Sequence, residues 1–251
     1  MPSTTPVLNV EAVCVRYGGV TAVDGVSFEV GPAEVFGLIG PNGAGKTSMI
    51  DALTGYTGVS GGQVIFRGRD ITRTAPHKRA RSGLARTFQS VELFDDLTVA
   101  ENLAVAGTRI TMASTLRDLV LPARDRDQEA IADALSLCGL EDVADSHPTE
   151  LSHGRRKLVG VARALASRPA LVLLDEPAAG LDTEESLELG RQLRKLPERG
   201  VAVLLVDHDM SLVLAACDRL LVLNFGRAIA TGTPAEVQQD ASVIAAYLGA
   251  P

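Results

Sequence analysis

Residues 40–47 read GPNGAGKT, a full match to the pattern GxxxxGK[ST]. The match lies directly after the apolar run Val35–Ile39 and directly before Ser48–Leu53, a helical run closed by Gly55. A strand feeding a glycine-rich loop that opens a helix is the context the pattern requires. Glycines at 40, 43 and 45 let backbone N–H groups converge on an anion, and the helix N-terminus adds partial positive charge. In such a loop Lys46 reaches the β and γ phosphates of a nucleotide and Thr47 can ligate magnesium.

A second acidic site is expected at the end of LVLLDE, residues 171–176. The apolar run predicts a buried strand that carries Asp175 to the carboxyl edge of the sheet, beside the phosphate loop. Asp175 is then placed to hold magnesium, and Glu176 to orient an attacking water or accept its proton.

Short apolar runs at Ala170–Leu174, Val201–Val206 and Arg219–Leu223 alternate with helical patterns, the signature of a parallel sheet that also includes Val35–Ile39. Upstream, residues 7–16, 26–30 and Gln63–Phe66 read as strands, with a turn at Arg67–Arg69. From Pro76 to Leu165 the pattern is helical, clearest at Val99–Ala106, Gln128–Cys138 and Arg155–Ala166, and Pro122–Asp127 reads as an exposed charged loop.

A chain of 251 residues that is 46% hydrophobic has ample core for one large domain. Its net charge of -7 offers no general positive field, which disfavours nucleic acid as a partner. Cys14, Cys138 and Cys217 have no metal or redox spacing and read as ordinary thiols of a reducing compartment. No run of about 18 apolar residues occurs, so a membrane link is expected only through a partner.

Between the two phosphate-site motifs stands LSHGRRK at 151–157, leading into the helical VGVARAL about 20 residues before LVLLDE. This resembles the LSGGQ signature of ABC ATPases. Other landmarks of that family follow in order: Tyr17 in VRYGG, Gln89 in RTFQ, AGLD at 179–182 and His208 in VDHDM. The resemblance covers nearly the whole chain. It implies an α/β fold of the P-loop NTPase, ABC ATPase type, with a parallel-sheet core (about 7–90 and 168–251), an N-terminal antiparallel β subdomain and a helical subdomain inserted at about 91–167.

It also implies roles. Tyr17 would stack on adenine, and Gly40, Pro41, Asn42, Gly43, Ala44, Gly45, Lys46, Thr47 and Ser48 would hold the ATP phosphates. Mg2+ would sit on Thr47, Gln89 and Asp175. Glu176, Gln89 and His208 would act in catalysis. Ser152, Gly154 and Asp182 would serve an ATP held by a second ATPase subunit, identical or related. His153 and Arg155 depart from the LSGGQ pattern, inserting a side chain and a cation where the family has glycine and glutamine.

The phrases LFDDLTVAENL, DEPAAGLDTEE, LNFGRAIATGTPAEV and VIAAYLG resemble the ATP-binding subunits of branched-chain amino acid importers. That subgroup implies transmembrane permease subunits, an extracytoplasmic substrate-binding protein acting indirectly, and a location on the cytoplasmic face of the membrane. Relatives serving urea or short amides, and a regulatory, non-transport ABC ATPase, are the competing readings. A chromosome-maintenance ATPase would need a long coiled coil between the motifs, and residues 48–150 carry no sustained heptads. A two-unit translation factor would need a second GxxxxGK[ST], and only one occurs.

Overall fold

The computed structural model describes residues 5–87, 93–107 and 124–248. Two sheets form its frame. The first is antiparallel, in the order β2-β1-β4-β5, from β1 (Leu8–Tyr17), β2 (Val20–Val30), β4 (Gly61–Phe66) and β5 (Arg69–Asp70). The turn between β4 and β5 holds Arg67 and Gly68 at φ of 50° and 73°, the twisted geometry that a two-residue hairpin needs.

The second sheet runs β10-β9-β3-β8-β7-β6 and comprises β3 (Val35–Ile39), β6 (Leu84–Arg86), β7 (Leu171–Asp175), β8 (Ala202–Val206), β9 (Arg219–Asn224) and β10 (Arg227–Gly232). All its pairings are parallel except β10 with β9. The four strands expected to share a sheet do so.

Their unbroken apolar runs follow from burial on both faces. Ile39, Leu174, Leu205 and Val222 face one core cluster, shared with most of the helices. Leu38, Leu173, Leu204 and Leu221 face the other, where helix α1 (Lys46–Thr54) lies between the two sheets with Met49, Ile50 and Leu53 fully buried. Glycine in the left-handed region at Gly55 (φ 84°) ends α1 where expected.

Along the middle of the chain the helices are α2 (Pro76–Arg81), α3 (Val99–Gly107), α4 (Arg124–Cys138) and α5 (His153–Leu165). Two expectations are corrected here. The helical stretch from Pro76 contains β6, which pairs in parallel with β7 from Leu84↔Leu171 to Arg86↔Leu173; three residues are too few to show a period. Of Pro122–Asp127, read as an exposed loop, residues 124–127 are the first turn of α4, since a charged run by itself does not separate loop from helix, and residues 122–123 lie outside the described residues.

Helices α6 (Thr183–Leu193) and α7 (Met210–Ala216) follow β7 and β8, and α8 (Pro234–Gln239) and α9 (Ala241–Leu248) close the chain. Buried Arg79 fastens α2 to α1: its guanidinium donates to the carbonyls of Ala52 and Leu53 at 2.7 Å each, and to those of Thr72 and Thr74. Burial raises the thiols of Cys138 and Cys217 to about 12, so both stay protonated and inert.

Candidate active site

Strand β3 delivers the chain to a loop that is closed behind and open in front. Behind it, the Gly226 N–H, from the turn between β9 and β10, donates to Ala44 O at 2.9 Å, and the Asp24 N–H donates to Gly226 O at 2.8 Å. A Cβ on Gly45 would stand 2.3 Å from Ala22 O, whereas one on Gly43 would meet nothing within 4 Å. Helix α1 starts at Gly45 with no side-chain cap, so its first N–H groups remain available to an anion.

Lys46 is 7% exposed, and its ammonium donates to Gly40 O at 2.8 Å and Pro41 O at 3.1 Å. Burial lowers its pKa, while the carboxylates of Glu176, Asp175 and Asp207 oppose the shift. Around it, Thr47 and Asn42 are exposed, Ser48 and Pro41 half-buried and Ala44 buried.

Strand β7 carries Asp175 to the sheet edge, where it is 8% exposed and its Oδ2 accepts from Arg86 Nη2 at 2.9 Å. The next residue turns sharply. Glu176 adopts φ 48°, a conformation that costs a non-glycine residue about 1–2 kcal/mol, and its N–H donates to Val206 O at 2.7 Å. That turn takes its carboxylate off the strand line, with Oε1 3.9 Å from His208 Nδ1. Strain of this kind gathers at functional sites.

Holding this arrangement is Asp207, wholly buried at the end of β8. It accepts the N–H groups of Ala178 (2.9 Å), His208 (2.7 Å) and Asp209 (2.9 Å), so one carboxylate pins the segments after both Glu176 and β8. Buried Lys157 on α5 lies near enough to Asp207 and Glu176 for their charge to oppose its burial-lowered pKa. Sequence reasoning singled out neither residue. The available signal for Asp207 was a carboxylate closing an all-apolar strand; for Lys157 it was a lysine at a core position of an amphipathic helix.

Ser152, Gly154 and Asp182 gather elsewhere, around a cavity of about 410 Å3 also lined by Arg155 and Glu185. Ser152 caps α5, accepting the Arg155 N–H at 3.3 Å. Asp182 caps α6 in a reciprocal pair with Glu185, its Oδ1 accepting the Glu185 N–H at 2.9 Å. Gly154 is buried, and a Cβ there would meet Glu185 Oε1 at 2.8 Å.

The two departures in the signature have definite positions. His153 Nε2 lies 3.4 Å from Ala179 O, on the loop leading to Asp182. Arg155 turns to Asp142, at 2.8 Å, rather than toward a phosphate. Tyr17 ends β1 with 47% of its surface exposed, and Gln89 lies outside the described residues.

The profile of the family described as "ABC transporter" matches residues 23–179, well over half of the chain and spanning the phosphate loop, the signature and the carboxylate pair. This chain is an ABC transporter ATPase. A second profile, "Branched-chain amino acid ATP-binding cassette transporter", matches residues 229–251 of the ATPase. Its relatives include the high-affinity branched-chain amino acid transport ATP-binding protein BraF of Pseudomonas aeruginosa, 40% identical over 97% of this chain and 98% of that one. LivG of Escherichia coli K12, named for the same transport, is 37% identical with the same coverage. An ATP-binding cassette of an ABC transporter, solved in its ADP conformation, superposes with a TM-score of 0.86 at 31% identity, covering 98% of this chain and 100% of that one.

In the ATPase, the oxygen donors near Lys46 suit magnesium, which binds through one or two protein ligands plus substrate phosphates. Thr47 offers a hydroxyl beside the open loop and Asp175 a carboxylate. Among the described residues no group of three or more His, Cys, Asp or Glu forms a self-sufficient metal cage. Arg155→Ala is expected to change ATP turnover less than about twofold, since an exposed ion pair contributes about 0–1 kcal/mol and this one points at Asp142. Steady-state turnover of the purified variant checks this; a tenfold loss would place Arg155 at the nucleotide.

Proposed function

We propose that the chain is the ATP-hydrolysing subunit of a branched-chain amino acid importer, working as half of an ATP-bridged pair beneath a permease. The observation that carries the paired arrangement is the division of the site. Lys46, Thr47, Asp175, Glu176 and His208 form one surface, while Ser152, Gly154 and Asp182 line a separate cavity. We read the two as complementary halves of one nucleotide site. Placed head to tail, two chains would bring the Ser152 and Gly154 end of α5 to the γ-phosphate held by Lys46 of the other.

Within each such site Tyr17 offers an exposed ring for the base, and the uncapped start of α1 binds phosphate. Thr47, Asp175 and Gln89 would hold magnesium, which when bound supplies positive charge against the phosphate oxygens. Glu176 takes the proton of the attacking water, and His208 orients the γ-phosphate. Closure is stabilised by contacts from both chains to that phosphate, and hydrolysis removes them. The support for the substrate is the full-length similarity to BraF and LivG together with the C-terminal match.

Among the described residues no helix is long and apolar enough to cross a membrane, which suits a peripheral subunit held by permease chains on the cytoplasmic face. We place the permease contact at the start of the helical segment, about 91–167, inserted between core segments 7–90 and 168–251. There Phe94 is 47% exposed while its backbone is clamped by buried Asn102. The Phe94 N–H donates to Asn102 Oδ1 at 2.9 Å, and Asn102 Nδ2 donates to Phe94 O at 3.0 Å. A rigid backbone presenting an open aromatic is a good anchor for a partner.

Phe94→Ala should therefore leave turnover by the isolated subunit within about twofold and reduce amino acid uptake by membranes about tenfold or more. Full uptake would remove Phe94 from the contact. The identity of the complex is tested by gentle solubilisation of native membranes with N-terminally tagged protein. Recovery of two permease chains with a second ATPase is expected, and recovery of soluble partners alone would refute the transport reading.

A further inference from the structure

Arg86 is the last residue of β6, and its position is set by the parallel ladder to β7, which continues one step further as the Thr87 N–H donates to Leu173 O at 2.9 Å. From there its guanidinium bridges two carboxylates on different elements. Nη2 donates to Asp175 Oδ2 at 2.9 Å, and Nη1 donates to Asp51 Oδ1 on α1 at 2.6 Å. Arg86 and Asp175 side chains are each 10% exposed. Tyr56 covers the guanidinium, its ring centroid 5.7 Å away. Arg86 and Tyr56 also line a cavity of about 490 Å3, so the cation stands between an open surface and the carboxylate at the end of β7.

We propose that Arg86 is a positioning residue of the metal site: it orients Asp175 and competes with the metal's charge for it, with Asp51 setting how strongly. This rests on the reading of Asp175 as the magnesium carboxylate. A carboxylate removed from water needs a counter-charge, and the guanidinium supplies it when no metal does. Once a divalent ion arrives, two cations share one carboxylate, and the arginine's presence weakens the ion's hold. Asp51 draws part of the guanidinium charge to α1 and so limits that competition.

The proposal predicts metal-affinity changes of opposite sign. Mn2+ is titrated into the full chain with a non-hydrolysable ATP analogue, and free Mn2+ is read by electron paramagnetic resonance. Arg86→Gln should tighten Mn2+ binding roughly three- to tenfold, and Asp51→Asn should weaken it by a similar factor. Affinity for the analogue in excess EDTA should move less than about twofold in either variant. A merely structural bridge would give both variants the same direction of change, or none, and either result overturns the role given to Arg86. Should Arg86→Gln fail to fold, unchanged or tighter Mn2+ binding by Asp51→Asn overturns it just as well. If the wild-type chain holds no Mn2+ with the analogue, the reading of the nucleotide site falls too, an outcome distinct from wild-type binding that the variants leave unaltered.

Discussion

Glu176→Gln is expected to bind ATP with near-normal affinity and to turn it over about 10^2- to 10^4-fold more slowly, the range that a lost general base produces. Glutamine keeps the size of the side chain and its hydrogen-bonding oxygen, so the strained turn at φ 48° and the Val206 contact should persist. What it removes is the capacity to take a proton. Steady-state hydrolysis and equilibrium nucleotide binding, measured on the same preparation, separate the two effects. Equal rates in wild type and variant would take Glu176 out of catalysis and leave the strain at this position without a function.

Gly45→Ala should be far more damaging than Gly43→Ala in the same phosphate loop. Its Cβ would sit 2.3 Å from Ala22 O, at a backbone φ of 102° that L residues rarely adopt. Neither partner can yield cheaply, since the carbonyl belongs to β2 and the loop is tied to the turn at Gly226. A loss of about 3 kcal/mol or more is expected, from overpacking and a left-handed backbone together. For a chain of this size that lowers the melting temperature by roughly 6–12 °C. Gly43→Ala is the control: φ is positive there too, at 80°, but the methyl meets open space, so only the backbone cost of about 1–2 kcal/mol remains. Thermal unfolding without nucleotide distinguishes them, and equal losses would show that contact with Ala22 contributes nothing.

The contrast between these glycines was not legible in GPNGAGKT, which presents each only as a glycine. Gly45 meets the carbonyl of Ala22 on β2 and Gly40 that of Leu223 on β9, whereas Gly43 meets nothing, a difference set by segments distant in sequence. The same holds for the signature. Ser152 as a helix cap could be read from Leu-Ser-x-Gly before a helical run, but the direction of Arg155 could not, because its partner Asp142 lies on the segment between α4 and α5. Asp182 is both a site candidate and the N-cap of α6, so its sequence position supports either role until a second chain is considered.

By itself the sequence determined the features made by consecutive residues. These are the phosphate loop between β3 and α1, the apolar runs of the parallel strands, and the carboxylates that end β7. In each, local backbone geometry or alternation of buried side chains is encoded within a few positions. Only the tertiary structure decided what depends on neighbours brought together by the sheet order. It placed β6 beside β7, joined Arg86 to Asp175 across 89 positions, and buried Asp207 where three N–H groups converge. A three-residue strand leaves no periodic trace, and the partners of a buried charge are not written beside it, since pairing is set by packing and electrostatics against residues far along the chain.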